Sequence, residues 1–235
     1  MENSNKKNGI FLGVVSVATL IVAIIGATFA FFSAQVTGDN QVEVTSYNFA
    51  TTLSVSRIDN AQDGKLIPVT DEQIPNALKT AESLCKTTTG HAGCALYKLS
   101  FLNSGDAEIT LNGEIRTLEN GFSTAENNSN IGFIMATKDE GGETYTPADT
   151  TTFKSLPTTM YEEGVVPDLP ATSTVAFAEG TKIPTGETAT DLYVMVYLKD
   201  TGVKQDEDMG KTYKGQFVFS SGDGAGGKLT ATFGA

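Results

Sequence analysis

Residues Ala95–Arg116 read ALYKLSFLNSGDAEITLNGEIR, and the alternation inside them decides the fold class. Ala95, Tyr97, Leu99 and Phe101 are separated by Leu96, Lys98 and Ser100, and Asn103-Ser104-Gly105 then breaks the run. Past the break, Ala107, Ile109, Leu111 and Ile115 alternate with Glu108, Thr110, Asn112, Glu114 and Arg116. Successive side chains of a strand point to opposite faces, so both runs predict strands with one buried and one wet face. The polar triplet predicts a tight turn joining them as a strand pair. Gly113 falls on the inward phase, where a missing side chain suits a bulge.

The same period recurs on either side. Val42 and Val44 share a phase that then changes, and Tyr47, Phe49, Leu53 and Val55 form the apolar side of one extended strand. Asp59–Asp71 is turn-rich, with Asp63-Gly64 and Pro68. Gln73–Leu84 is the best helix in the body of the chain: Ile74, Ala77, Leu78, Ala81 and Leu84 or Cys85 fall at helical spacing. Thr70 or Asp71 would cap it, Pro75 lies in its first turn, and it should cover one end of a sheet. Toward the C-terminus, short strands are expected at Ile131–Met135, Thr152–Leu156, Thr174–Ala178, around Phe217 and Phe219, and at Leu229–Phe233. Asp191–Lys199, DLYVMVYLK, is apolar on both phases and predicts a central strand covered on both faces. Thr201–Gly210 is an acidic loop. Many short strands and one short helix predict an all-β domain: an antiparallel, jelly-roll-like β-sandwich.

An N-terminal hydrophobic helix is expected ahead of this domain. Gly9–Phe32 carries no charge, and Lys6 and Lys7 precede it. A helix of about two dozen residues is long enough to cross a hydrocarbon core of ~30 Å. Two interpretations stand open for residues 1–33, a cleaved signal peptide or a retained membrane anchor, with 34–235 forming the sandwich domain. Thr28-Phe29-Ala30 supplies modest side chains for cleavage after Ala30, whereas the run exceeds an ordinary signal core. In both cases the lysines stay inside and the body faces outward.

Composition narrows the chemistry. The chain has 235 residues, a net charge of −12, one histidine, two cysteines and no tryptophan. Such an acidic body is repelled by nucleic acid and by anionic lipid. Cys85 and Cys94, in CKTTTGHAGC, are an even count at short spacing in an exported chain and predict a disulfide. The competing interpretation makes one thiol a nucleophile with His91 as base, or adds His91 to the thiols as zinc ligands. There is no HExxH, and a lone histidine is poor material for a zinc site or a catalytic triad. No catalytic residue, metal or cofactor is therefore expected. The weak exception is Ca²⁺ at the acidic loop, where Asp200, Asp206, Glu207 and Asp208 cluster and Asp223 lies further on.

Gly26-Ala27-Thr28-Phe29-Ala30-Phe31-Phe32-Ser33 resembles the signal end of the camelysin/TasA group of Gram-positive bacteria, which a SipW-type signal peptidase processes. Phe49–Val55 is similar to that family's first mature strand, and Tyr97–Ile115 to its strand–Asn-x-Gly–strand element. Asp191–Lys199, the acidic loop and Tyr213-Lys214-Gly215 are similar to its closing strands. The usual glycine between Phe49 and Leu53 is missing, Lys214 replaces a glutamine, and Cys85–Cys94 looks like an insertion. The resemblance implies a secreted jelly-roll protein of the cell surface or biofilm matrix. Its partners would be itself or related fibre subunits, with the membrane and signal peptidase serving export and no nucleic acid involved. Cleavage within Ala27–Phe31 would free a donor strand, Gln41–Val55, carrying Tyr47, Phe49, Leu53 and Val55, to complete the sheet of the next subunit. Camelysin has been regarded as a metallopeptidase, a role for which these residues offer no zinc motif. The alternative is a membrane-anchored or pilin-like surface protein or adhesin that retains its helix. Lys6-Lys7-Asn8-Gly9 loosely resembles a type IV prepilin cut site, although Val14 stands where such pilins carry Glu.

Overall fold

The computed structural model describes residues 42–45, 50–59, 66–79, 84–122, 128–142, 144–148, 153–158, 160–161, 173–208, 210–222 and 227–234, with 42–45, 128 and 207 described by backbone alone. The chain divides into Met1–Asp39 and Asn40–Ala235, and all described residues belong to the second unit. The leader, with Ala27, Thr28, Phe29, Ala30 and Phe31, lies outside the described residues, as do Tyr47 and Phe49.

Eleven described strands form two antiparallel sheets. They are β1 (Val42–Thr45), β2 (Thr51–Arg57), β3 (Ala95–Asn103), β4 (Ile109–Asn120), β5 (Asn128–Lys138), β6 (Tyr145–Pro147), β7 (Lys154–Pro157), β8 (Thr174–Ile183), β9 (Thr190–Leu198), β10 (Tyr213–Ser221) and β11 (Lys228–Gly234). Sheet A runs β1-β11-β10-β4-β8, and sheet B runs β2-β3-β9-β5-β6, with β7 also paired to β5. The short helix is α1 (Ile74–Ala77). An all-β sandwich is thus what these residues form.

Period-2 alternation explains the main core. Tyr97, Leu99 and Phe101 of β3, Leu111 and Ile115 of β4, and Phe217 and Phe219 of β10 meet between the sheets. Phe101 packs edge-on against Phe219 at 4.7 Å, and Phe217 stacks on Phe233 at 4.2 Å. Burying each such ring stabilises by roughly 1.5–3 kcal/mol, and aromatic pairs prefer these offset and edge geometries.

A second core lies on the outer face of sheet B. β9 is central there, between β3 and β5. Its Val194, Val196 and Leu198 join the inner core, while Tyr193, Met195 and Tyr197 join Ile74, Leu78, Leu84, Cys85 and Cys94 outside. Both phases of DLYVMVYLK are therefore covered, as its sequence requires.

Four expectations need correction. The Asn103-Ser104-Gly105 turn does not close a hairpin, because β3 pairs with β2 and β9 whereas β4 pairs with β10 and β8. It carries the chain from sheet B to sheet A, so the two alternating runs face one core from opposite sides. The stretch Gln41–Val55 is not one strand: β1 pairs with β11 in sheet A and β2 with β3 in sheet B. The change of phase after Val44 marks that change of sheet. Helix α1 spans one turn only, begins at Gln73 without a side-chain cap, and has Pro75 at its start. The Ala77 and Leu78 carbonyls that would continue it accept instead from the Cys85 and Tyr145 amides, at 2.8 and 3.1 Å. It covers the outer face of sheet B rather than a sheet end. β8 runs to Ile183, beyond the expected Ala178. Gly113 does mark an irregularity: the β4–β8 register shifts on both sides of it.

Candidate functional site

The resemblance directs attention to the N-terminal strands, which lie at one margin of the sandwich. β1 is the end strand of sheet A and β2 the end strand of sheet B. β1 and β11 both lie against β2 across the margin. Five residues separate β1 from β2, enough chain to step from one sheet to the other.

The two strands are held very differently. β1 pairs with β11 over four residues, Val42–Thr45 against Lys228–Ala231. β2 pairs with β3 over seven, and its Leu53 and Val55 are buried in the main core. Thr52, Ser54 and Ser56 face solvent, which gives the strand its alternation. At its start, the Ala50 carbonyl accepts from both the amide and the hydroxyl of Ser104, each at 2.8 Å. Buried Thr51 donates its hydroxyl to Asn103 Oδ1 at 3.3 Å. At its end, Arg57 forms a two-pronged ion pair with Asp59 at 2.6 and 3.0 Å, and Asp59 Oδ2 also accepts the Leu96 amide. Of the donor residues expected from the sequence, Leu53 and Val55 are thus integral to this domain's own core.

The acidic loop places its carboxylates with separate partners. Asp200 Oδ1 accepts the Gly202 amide at 2.8 Å, and Asp206 pairs with Lys204. Asp208, in the 3-10 turn Asp206–Asp208, is buried and accepts from Asn130 Nδ2 and Gln205 Nε2 at 3.0 Å each through Oδ2. Its other oxygen is buried without a hydrogen-bond partner. These bonds fasten the loop to the start of β5. Among the described residues, no three His, Cys, Asp or Glu side chains converge as metal ligands would. The Glu207 side chain and Asp223 lie outside the described residues.

Cys85 and Cys94 are joined, and neither residue is exposed. His91 is exposed on the turn that they enclose, where its amide bonds Thr87 Oγ1 at 3.2 Å. A nucleophile would require one free thiol and the zinc set both, and this bond engages both sulfurs.

The chain matches no protein-family model, and a search of the curated proteins finds no relative.

Two further clusters carry polar chemistry on sheet B. Asp71 accepts from Tyr197 Oη at 2.9 Å and pairs with Lys199 at 2.7 Å. Burial raises its pKa, but the bonds from Lys199 and Tyr197 together with the lysine's charge outweigh this and leave it below the ordinary value. Asp191 gathers Ser100 at 2.7 Å and Lys98 at 2.9 Å. Its pKa is likewise lowered, with burial opposed by the hydrogen bonds of Ser100, Lys98 and Tyr193 and by the lysine's charge. Each lysine is engaged with a carboxylate.

Sequence reasoning did not single out Asn103 except as a turn residue. Its amide nitrogen donates to the carbonyls of Ala107 and Ile183 at 2.9 and 3.2 Å, and its oxygen accepts from the Gly105 amide at 3.0 Å. The one available signal was an asparagine standing on the inward phase two residues after Phe101.

Proposed function

We propose that this chain is an exported structural protein of the bacterial surface or biofilm matrix, of the camelysin/TasA kind, that joins copies of itself through its N-terminal strand and catalyses nothing. The observation that carries this reading is the unequal hold on the N-terminal segment. β1 sits at a sheet end with four residue pairs, while β2 behind it is built into the core. A strand at a sheet end can leave and be replaced by an identical strand of another copy, since backbone pairing supplies the affinity. Donor and acceptor are different surfaces, so the contact is heterologous and propagates as a filament. In this form the exchanging element is β1 and the receiving edge is β11.

Other features support the reading. A disulfide suits the oxidising exterior. The chain crosses repeatedly between sheets, at β1 to β2, β3 to β4, β4 to β5, β7 to β8, β8 to β9 and β9 to β10, which suits a jelly-roll-like connectivity. Removal of Phe31–Tyr47 from the mature protein should abolish fibres in electron micrographs while circular dichroism still reports the sandwich. Unchanged fibres would refute the reading.

The length of the Gly9–Phe32 run favours a second reading, a tethered or pilin-like surface protein or adhesin with its helix retained. The first residue of the mature protein separates them. A start near Phe31 fits the fibre subunit, Ile10 fits the pilin, and Met1 fits the anchor.

A further inference from the structure

The outer face of sheet B is covered by residues 67–79 and 84–94, entered from Leu66, and this cover is poor in regular structure. It contains one helical turn and isolated bridges, Leu66 to Ala92 and Lys86 to Ala92. A single turn of helix has no independent stability, because nucleation is costly and only tertiary packing offsets it. What closes the cover is the Cys85–Cys94 bond, with the Gly93 amide donating to the Cys85 carbonyl and the Cys85 amide to that of Ala77, each at 2.8 Å. Cys85 itself holds a left-handed backbone, φ 61°, rare for a residue with a side chain.

From Ile67 onward the cover packs on a core of its own, whereas Leu66, at its start, packs against the core between the sheets. Ile74, Leu78, Leu84 and both cysteines pack with Leu96, Met195 and Tyr197 on the outer face, whereas Leu99, Phe217 and Val196 pack between the sheets. The cover's ties to the strands and their loops include the Val69 amide to the Leu198 carbonyl, the Asp200 amide to the Val69 carbonyl, the Tyr145 amide to the Leu78 carbonyl, and the Asp71 cluster.

We propose that this cover is a thiol-sensitive element that opens as a unit while the sandwich stays folded. The partner chemistry is a dithiol, free or on an oxidoreductase. Its thiolate attacks one cystine sulfur, the Cys85–Cys94 bond breaks, and a mixed disulfide forms. The reagent's second thiol resolves that intermediate, leaving the reagent oxidised and both cysteines as thiols. Both cysteines are fully buried, so attack follows opening of the cover. Losing the cross-link restores chain entropy to the open form and should favour opening by roughly a hundredfold. The opened state presents Leu96, Met195 and Tyr197 to solvent.

Hydrogen exchange before and after treatment with dithiothreitol tests this. Amides of Val69, Cys85, Gly93 and Tyr145 should exchange roughly a hundredfold faster after reduction, while those of Leu99 and Phe217 keep their protection. The double variant Cys85→Ser with Cys94→Ser should reproduce the pattern without reductant. Loss of protection in both regions, or a double variant that does not fold, would show that the bond staples the whole domain and would overturn the proposal. Unchanged protection in both regions would overturn it equally.

Discussion

Asn103 donates its side-chain amide to the carbonyl of Ile183, 80 residues further along the chain and in the other sheet, at 3.2 Å. The same side chain bonds Ala107, Gly105 and Thr51, so the end of β3, the crossing turn, the end of β8 and the start of β2 meet on one buried amide. Substituting Asn103→Ala would remove the buried partner of the Ile183 carbonyl and of the Thr51 hydroxyl, while the Ala107 carbonyl and Gly105 amide lie nearer solvent. The expected loss is about 2–3 kcal/mol, read as a lower urea midpoint with an unchanged slope.

Gly113 tests the packing of sheet A. A Cβ there would stand 2.6 Å from Phe219 Cε1 and 3.1 Å from Ala178 Cβ. Both neighbours are buried, so the Phe219 ring cannot simply swing clear. Gly113→Ala should cost about 1–3 kcal/mol by overpacking. Gly132→Ala should cost more, because there the new atom would meet the Lys154 carbonyl at 2.5 Å and push β7 off β5. Thermal unfolding of the two variants side by side gives the order.

Acid should weaken the tie between the cover and sheet B. Asp71 has a folded pKa below the ordinary value of 3.8. Its contribution is therefore fully present above that value and is lost as pH falls through the lower folded pKa. The pair is partly exposed, so the gain is small, under about 1 kcal/mol at neutral pH. Asp71→Asn should lower stability by that amount at neutral pH and by nothing in strong acid, where the parent carboxylate is protonated too. Urea titrations across the acid range measure the difference.

Alkali should act through buried phenols. Burial raises the pKa of Tyr97, Tyr197 and Tyr213, and burial followed by the charge of Asp191 raises Tyr193 to about 12. A raised folded pKa means stability that is complete below the unfolded value, near 10, and declines as pH rises toward the folded one. These tyrosines should stay un-ionised until the fold opens, so phenolate absorbance should rise together with loss of the β signal. An early absorbance rise on an intact fold for four phenols would contradict the burial described.

Much of the fold is a local property and was legible. Leu53, Val55, Leu99, Phe101, Leu111, Phe217, Phe219, Leu229 and Phe233 are buried where alternation puts them. DLYVMVYLK announced a strand covered twice, and it is central in sheet B. The cysteine spacing announced the bond that forms. Helix α1 was over-extended because helical spacing continues past Leu78 while the carbonyls needed to continue it are captured by distant amides. At the acidic loop, Asp200, Asp206 and Asp208 turn to Gly202, Lys204, Asn130 and Gln205, partners that the local sequence does not announce.

The amino-acid sequence by itself determined the strand periods, the inward side chains and the cysteine pair, because each depends on residues close together in the chain. Tertiary structure alone decided which strands pair. An alternating run with a turn after it serves a hairpin and a sheet crossing equally well, and the pairing of β3 with β2 and β9 and of β4 with β8 and β10 makes it a crossing. It also decided that Val42–Thr45 and Thr51–Arg57 belong to different sheets, the first lightly paired and the second locked into the core, since pairing depends on β11 and β3, which the local pattern of the N-terminal segment does not encode.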